Sequence, residues 1–180
     1  MPMRKLYKTI LGSIHYKEAW ADEADCTYHW GVLGRKGKTK SIPIKRGETP
    51  EDAVNRALAD ALTDGYLEIP HDQHSHMVIQ FKTDHEWGDS DDLEKRHMVD
   101  GLMDECLGWT GNGHCDGGDI GSGTINTFVF VVDAETATKT ITSTLRSSGI
   151  LNDALIALQN SDDEFEVVWP KNYDQPFSTI

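Results

Sequence analysis

Tyr28-His29-Trp30-Gly31-Val32-Leu33-Gly34-Arg35-Lys36-Gly37-Lys38 starts as an aromatic strand, passes three glycines and emerges basic. Aromatic and β-branched residues suit a half-buried pleated surface, and glycine supplies positive φ in a tight turn. The stretch therefore reads as a strand from Cys26 to Leu33, a turn at Gly34-Arg35-Lys36-Gly37, and a returning strand from Lys38 to Lys45. Pro43 lacks an N–H for a ladder, which places the returning strand at a sheet edge or at a bulge.

Outward from this hairpin, a helix follows. Thr49 is the expected N-cap, Pro50 the first helical residue, and Glu51 and Asp52 fill the first turn. Ala53, Val54, Ala57, Leu58, Ala61 and Leu62 recur at helical spacing, and Gly65 is the expected stop. Upstream, the alternation from Lys5 to His15 predicts one strand, and residues 18–25 read as a polar connection.

The order of these elements, with Trp30-Gly31 on the aromatic strand, the basic Gly-turn and the capped helix ending in Gly65-Tyr66, resembles the WGR domain over residues 4–69. Trp30 and Gly31 match the motif, and Val32 stands where the family has arginine. The resemblance implies a small antiparallel sheet with one packed helix. It also implies contact with DNA ends or with neighbouring domains, as in poly(ADP-ribose) polymerases.

Charge divides the chain unevenly. Residues 1–70 hold 11 Lys/Arg against 10 Asp/Glu, whereas residues 71–180 hold 6 against 20. No acid occurs between Asp25 and Glu48, while Arg35, Lys36, Lys38, Lys40, Lys45 and Arg46 cluster beside Trp30. Cations that neutralise phosphates, next to an aromatic that can stack on a base, are the chemistry of nucleic-acid binding. The asymmetry predicts two modules: 1–70, a polar linker at 71–76, and 77–180.

In the second half, Met77 to Lys82 reads as a strand, and a helix is expected from Asp91 or Asp92 to about Leu107. Met98, Val99, Leu102, Met103 and Cys106 would face inward, with His97, Asp100 and Asp104 toward solvent. The stretch 108–123 is glycine-rich. It lacks the Lys-Ser/Thr and the following helix of a phosphate loop, so it reads as a glycine-rich hairpin or bulged edge strand. Thr124 to Val132 is a central strand, 134–148 a helix capped by Asp133, and 154–158 and 165–169 two strands around an acidic loop. That order is the split β-α-β arrangement, so the whole chain reads as α+β with a C-terminal ferredoxin-like sandwich. This half loosely resembles small acidic bacterial α+β proteins, including immunity proteins of toxin systems.

No catalytic motif stands out. Neither a Gly-x-Ser-x-Gly elbow nor His-Glu-x-x-His occurs, and no cofactor or metal is expected. His71, His74 and His76 lack the fourth ligand of a structural site. Three cysteines without CxxC spacing, and an N-terminus without an apolar run behind its charges, suit the cytoplasm. The longest apolar run, Phe128 to Val132, is too short to span a membrane. The expected function is a non-enzymatic two-module binding protein. Trp30, Arg35, Lys36, Lys38 and Lys40 would meet nucleic acid, through residues 28–46, or a protein partner. The alternative is an immunity-type inhibitor whose Asp91, Asp92, Asp162, Asp163 and Glu164 cap a basic partner such as a toxin.

Overall fold

A computed structural model describes residues 1–179. The chain is α+β, with two antiparallel sheets and three α-helices. It separates into two compact units: Met1–Asp72 with Trp109–Gly111, and Gln73–Gly108 with the chain from Asn112 on. Residues 109–111, read from the sequence with the second half, thus group with the first.

The first unit is a meander of β1 (Met3–Ile10), β2 (Ser13–Ala21), β3 (Asp25–Val32) and β4 (Lys38–Pro43) in sequential order, with helix α1 (Pro50–Thr63) on one face. The sequence reading ran one strand through Lys5 to His15 and made 18–25 a loop. The chain instead turns at Leu11-Gly12, both with positive φ (49° and 80°), and β2 continues to Ala21. Positive φ at both central residues matches the twist of a two-residue hairpin. Leucine there is fully solvent-exposed, so its apolar character misleads a pattern based on burial. The true β2–β3 turn is held by Asp22, whose Oδ1 accepts from the N–H groups of Ala24 and Asp25 at 2.7 and 2.9 Å.

α1 begins as expected. Thr49 Oγ1 accepts from Asp52 N at 3.1 Å, and Asp52 Oδ2 accepts from Thr49 N at 3.4 Å, a reciprocal capping box. Ala53, Val54, Leu58 and Ala61 bury against Leu6, Ala19, Ala21, Cys26 and Tyr66. After Gly65 the chain crosses back, and Leu67 exchanges both backbone hydrogen bonds with Tyr7, covering part of the β1 edge.

The second unit contains β5 (Ser75–Lys82), α2 (Ser90–Trp109), β6 (Gly113–Gly121), β7 (Thr124–Val131), α3 (Ala134–Ser147), β8 (Ala154–Gln159) and β9 (Phe165–Trp169). The sheet order is β6-β7-β5-β8-β9, with every neighbouring pair antiparallel. α2 joins β5 to β6 with β7 between them, and α3 joins β7 to β8 with β5 between them. These are two interlocked split β-α-β units with β9 added at one edge. Val99, Met103 and Leu107 of α2 and Ala137, Ile141 and Leu145 of α3 share one core with Met77, Ile79, Phe81, Ile125 and Ile156.

Three local expectations change. β5 begins at Ser75, and His71–Gln73 form a 3-10 turn, so His76 lies in the sheet rather than in a linker. Met98 is exposed, because the buried stripe of α2 runs through 99, 103 and 107. Asp100 and Asp104 do not simply face solvent. Asp100 Oδ1 accepts from the buried Thr127 hydroxyl at 2.7 Å, and Asp104 Oδ1 accepts from Cys115 N at 3.0 Å. The glycine-rich stretch forms edge strand β6, with its register shifted between Cys115 and Gly118. A Cβ on Gly113 would lie 2.0 Å from Phe130 O, and one on Gly118 2.1 Å from Asn126 O, so any side chain there would push β6 off β7.

Leu58 and Ile141 are fully buried. Leu58→Ala and Ile141→Ala should each cost about 2–5 kcal/mol, and Thr49→Ala about 1 kcal/mol, read from urea midpoints. Leu62→Ala, at a residue 40% exposed, should cost clearly less than Leu58→Ala. Equal costs would mean that the packed face of α1 is wrongly placed.

Candidate functional site

Side chains alternate across a strand, so the two faces of the first sheet carry different chemistry. One face holds a buried polar chain. Lys5 Nζ lies 2.8 Å from Glu18 Oε2, Glu18 Oε1 lies 2.5 Å from His29 Nδ1, and His29 Nε2 lies 3.0 Å from Tyr16 Oη. Tyr16 donates onward to Trp109 O at 3.2 Å, and Tyr7 donates to Gly111 O at 3.0 Å. Glu18, His29 and Tyr16 are all at most 2% exposed. The Trp109 ring meets His29 edge-on at 5.2 Å and Trp20 at 6.4 Å.

The carboxylate–imidazole–hydroxyl order resembles a relay that activates a nucleophile. The surroundings exclude that use. A Cβ on Gly37 would lie 2.2 Å from both His29 Nε2 and Tyr16 Oη, and one on Gly111 2.3 Å from the Tyr16 ring. Backbone therefore closes over the hydroxyl and leaves no room for a substrate. Gly34 N and Gly37 N also donate to Thr110 O and Trp109 O at 2.9 and 3.1 Å. The chain is a scaffold that holds the basic turn. Sequence reasoning missed it; the available signal was the period-two spacing Tyr16, Glu18, Trp20 on a strand.

The opposite face carries Tyr28 and Trp30 of β3. Trp30 is flanked across the strands by Lys17 and Lys38, and Tyr28 pairs with Lys40. The two rings lie 5.3 Å apart, tilted by 31°. Trp30 is half-buried, and Lys38 and Lys40 are exposed. Lys17 is partly engaged, 4.3 Å over the Tyr66 ring and 3.5 Å from Asp64 Oδ2. Among the described residues, none of Arg35, Lys36, Lys38, Lys40, Lys45 or Arg46 forms an ion pair. The five basic and aromatic residues singled out from the sequence are not all on one surface. Trp30, Lys38 and Lys40 share a face. Arg35 and Lys36 sit in the turn, and Lys36 Nζ reaches the other side, 5.9 Å over the Trp109 ring.

The acidic residues fall in two separate places. Asp91 and Asp92 lie in the first turn of α2, after the C-terminal end of β5. Asp89 Oδ1 accepts from both of their N–H groups at 2.9 and 3.1 Å, and Asp92 Oδ2 accepts from Asp89 N at 3.1 Å. These carboxylates thus include the cap of α2. Asp162, Asp163 and Glu164 are exposed in the β8–β9 turn, at the other end of β5, shaped by Asn160 Oδ1, which accepts from Asp162 N and Glu164 N.

Among the described residues, no three His, Cys, Asp or Glu side chains converge to hold a metal. Burial pushes the Cys106 and Cys115 thiols up to about 11 and also raises Cys26, so none is an activated nucleophile at neutral pH. No helix of the described chain is long and apolar enough to cross a membrane. No family model, curated protein or solved structure matches the chain.

Burial, reinforced by the Glu18 charge, raises the hydroxyl pKa of both Tyr7 and Tyr16 above the ordinary 10.0. The folded chain therefore keeps protons that the unfolded chain releases, and stability should fall as pH rises past about 10. Tyr7→Phe/Tyr16→Phe should flatten that decline in chemical-denaturation midpoints between pH 9 and 11. At pH 7, Glu18→Ala should cost about 3–5 kcal/mol, because Lys5 and His29 lose their shared partner.

Proposed function

We propose that the first unit is a WGR-like binding module that holds a nucleic-acid strand on the Trp30 face. The observation that carries this reading is the pairing of a half-exposed indole with unneutralised cations. Trp30 lies directly across from Lys38, and Lys40 follows beside Tyr28, with no acid among the described residues paired to either lysine. A base can stack on the indole while its flanking phosphates meet the lysines. Lys17 lies on the other side of Trp30 and can turn from Asp64 to a phosphate. Val32, where the WGR family has arginine, follows Trp30 by two and shares its face. The family's cationic contact is thus missing there, and Lys38 and Lys40 supply the charge.

The second unit carries 6 Lys/Arg against 19 Asp/Glu and repels a phosphate backbone, so the cations of the basic turn and β4 are the part of the chain that attracts one. The immunity-type alternative has weaker support. Its acids lie at opposite ends of β5, and Asp92 belongs to a helix cap.

The test is anisotropy titration of a labelled single-stranded oligonucleotide across a salt series. Three or four phosphate contacts on a single strand give a slope of log K against log salt of about −2 to −3. Trp30→Ala should weaken binding by roughly ten-fold or more at one salt concentration. Lys38→Glu/Lys40→Glu should weaken binding and flatten the slope. Arg35→Glu/Lys36→Glu should have the smaller effect, since the turn lies off the Trp30 face. Absence of binding at low salt, or binding indifferent to Trp30→Ala, removes the proposal.

A further inference from the structure

The helices cover one face of the second sheet. The other face carries a continuous cross-strand row: His114 of β6, Phe130 of β7, His76 of β5, Gln159 of β8 and Phe165 of β9. The His76 ring stacks on Phe130 at 4.7 Å and 13°, and Phe165 meets His76 edge-on at 5.3 Å. Phe128 lies beside this row, 5.7 Å from His76. These half-buried aromatic rings form a surface, and part of it is occupied by the chain's own C-terminal segment. Phe177 approaches Phe165 at 6.3 Å, and Tyr173 Oη donates to Pro176 O at 3.4 Å.

Beside the aromatic row runs a ladder of buried amides. Asp119 Oδ1 accepts from Asn126 Nδ2 at 2.7 Å, and Asn126 Oδ1 accepts from Gln80 Nε2 at 2.8 Å. Gln80 Nε2 carries a second hydrogen, which goes to the main-chain carbonyl of Ser178 at 2.9 Å. With the tail in place Asn126 is 0% and Gln80 5% exposed, so any segment that covers Gln80 must bring an acceptor for this hydrogen or leave a buried hydrogen bond unmade. The face thus combines an aromatic shelf with a fixed donor one residue further along a bound chain. That is the chemistry that receives an extended peptide: a phenylalanine against Phe165, then a backbone carbonyl on Gln80.

We propose that this face is a peptide-docking surface for an extended segment of the type Pro-Phe-Ser. In this reading the chain's own residues 173–179 are an exchangeable occupant that keeps the surface closed. Among the described residues the tail pairs with no strand through a backbone ladder and meets the face through the Phe177 ring and the Ser178 carbonyl, whereas each strand of the sheet is held by such a ladder. The tail is therefore the weakest-held part of the layer. Peptide rather than nucleic acid is the fitting partner, because the donor is aimed at a neutral carbonyl and Asp119 stands in the same ladder. Tethering gives the tail an effective concentration of order millimolar, so a free segment competes with it poorly until the tail is weakened.

The test uses the full chain and a fluorescent peptide with the sequence of residues 172–179, Asn-Tyr-Asp-Gln-Pro-Phe-Ser-Thr. Phe177→Ala in the chain should raise its affinity for the peptide at least ten-fold over the parent chain. Gln80→Leu added to that variant should return affinity to the parent's level, with far-UV circular dichroism unchanged. A peptide carrying alanine at the phenylalanine should not bind either chain. Equal affinity of parent and Phe177→Ala overturns the proposal. So does loss of cooperative melting in Phe177→Ala, since the segment would then be part of the core rather than a displaceable strap. Oligonucleotide binding that Phe177→Ala gains over the parent chain, without a gain in peptide binding, overturns it as well.

Discussion

Glu18 lies in the middle of a strand with almost no water, held by Lys5 on one oxygen and His29 on the other. An unpaired carboxylate in that position would cost several kcal/mol, so strand pairing must deliver both partners at once. Lys5 stands opposite Glu18 on β1, and His29 opposite it on β3. A slip of one residue in either pairing would turn every side chain of the strand over and strand the charge. The ion pair thereby selects the register of three strands. It also fixes what each face carries: with His29 on the face that Trp109 covers, Trp30 must point to the opposite face, the one on which α1 packs, beside Lys38.

This constraint explains what could be read from the sequence and what could not. Elements with local causes were legible. α1 carries its cap, proline and stop glycine in order. β3 and β4 surround a turn whose glycines declare it, and α3 starts at Asp133, whose Oδ1 accepts from Thr136 N at 2.8 Å. The glycine-rich stretch was legible as a hairpin or a bulged edge strand; Gly113 and Gly118 are glycine because β7 backbone lies close, and Gly117 and Gly123 because their φ is positive. The Leu11-Gly12 turn was hidden because leucine in a left-handed conformation contradicts its propensity. Glu18 was hidden because an acid reads as a loop residue until its two partners are brought from elsewhere in the chain. The grouping of residues 109–111 with the first sheet depends on Tyr7 and Tyr16 hydroxyls that no local pattern announces.

At the candidate site, the residue types were visible and their sides were not. The six cations between Arg35 and Arg46 are obvious in sequence. Only the register separates Lys38 and Lys40, beside Trp30, from Lys36, beside Trp109. In the second unit the acids that stand out by composition lie at a helix start, where Asp92 takes part in the cap, and in a hairpin turn that Asn160 shapes. The less conspicuous Gln80 and Asn126 carry the buried polar connectivity, because amides can both donate and accept along a row of strands.

β4 is the last strand of its sheet, and its free side faces no other strand. Exposed edges invite pairing with another copy, and lysines together with Pro43 discourage it. Lys38 and Lys40 therefore guard the fold against self-association as well as furnishing charge to the Trp30 face. The guard depends on the magnitude of charge and not on its sign. An acidic replacement would keep molecules apart while reversing what the surface attracts, whereas a neutral one would remove the guard. A change of charge sign at these two positions thus passes through chains that stay dispersed, while the neutral route passes through chains prone to stack edge to edge.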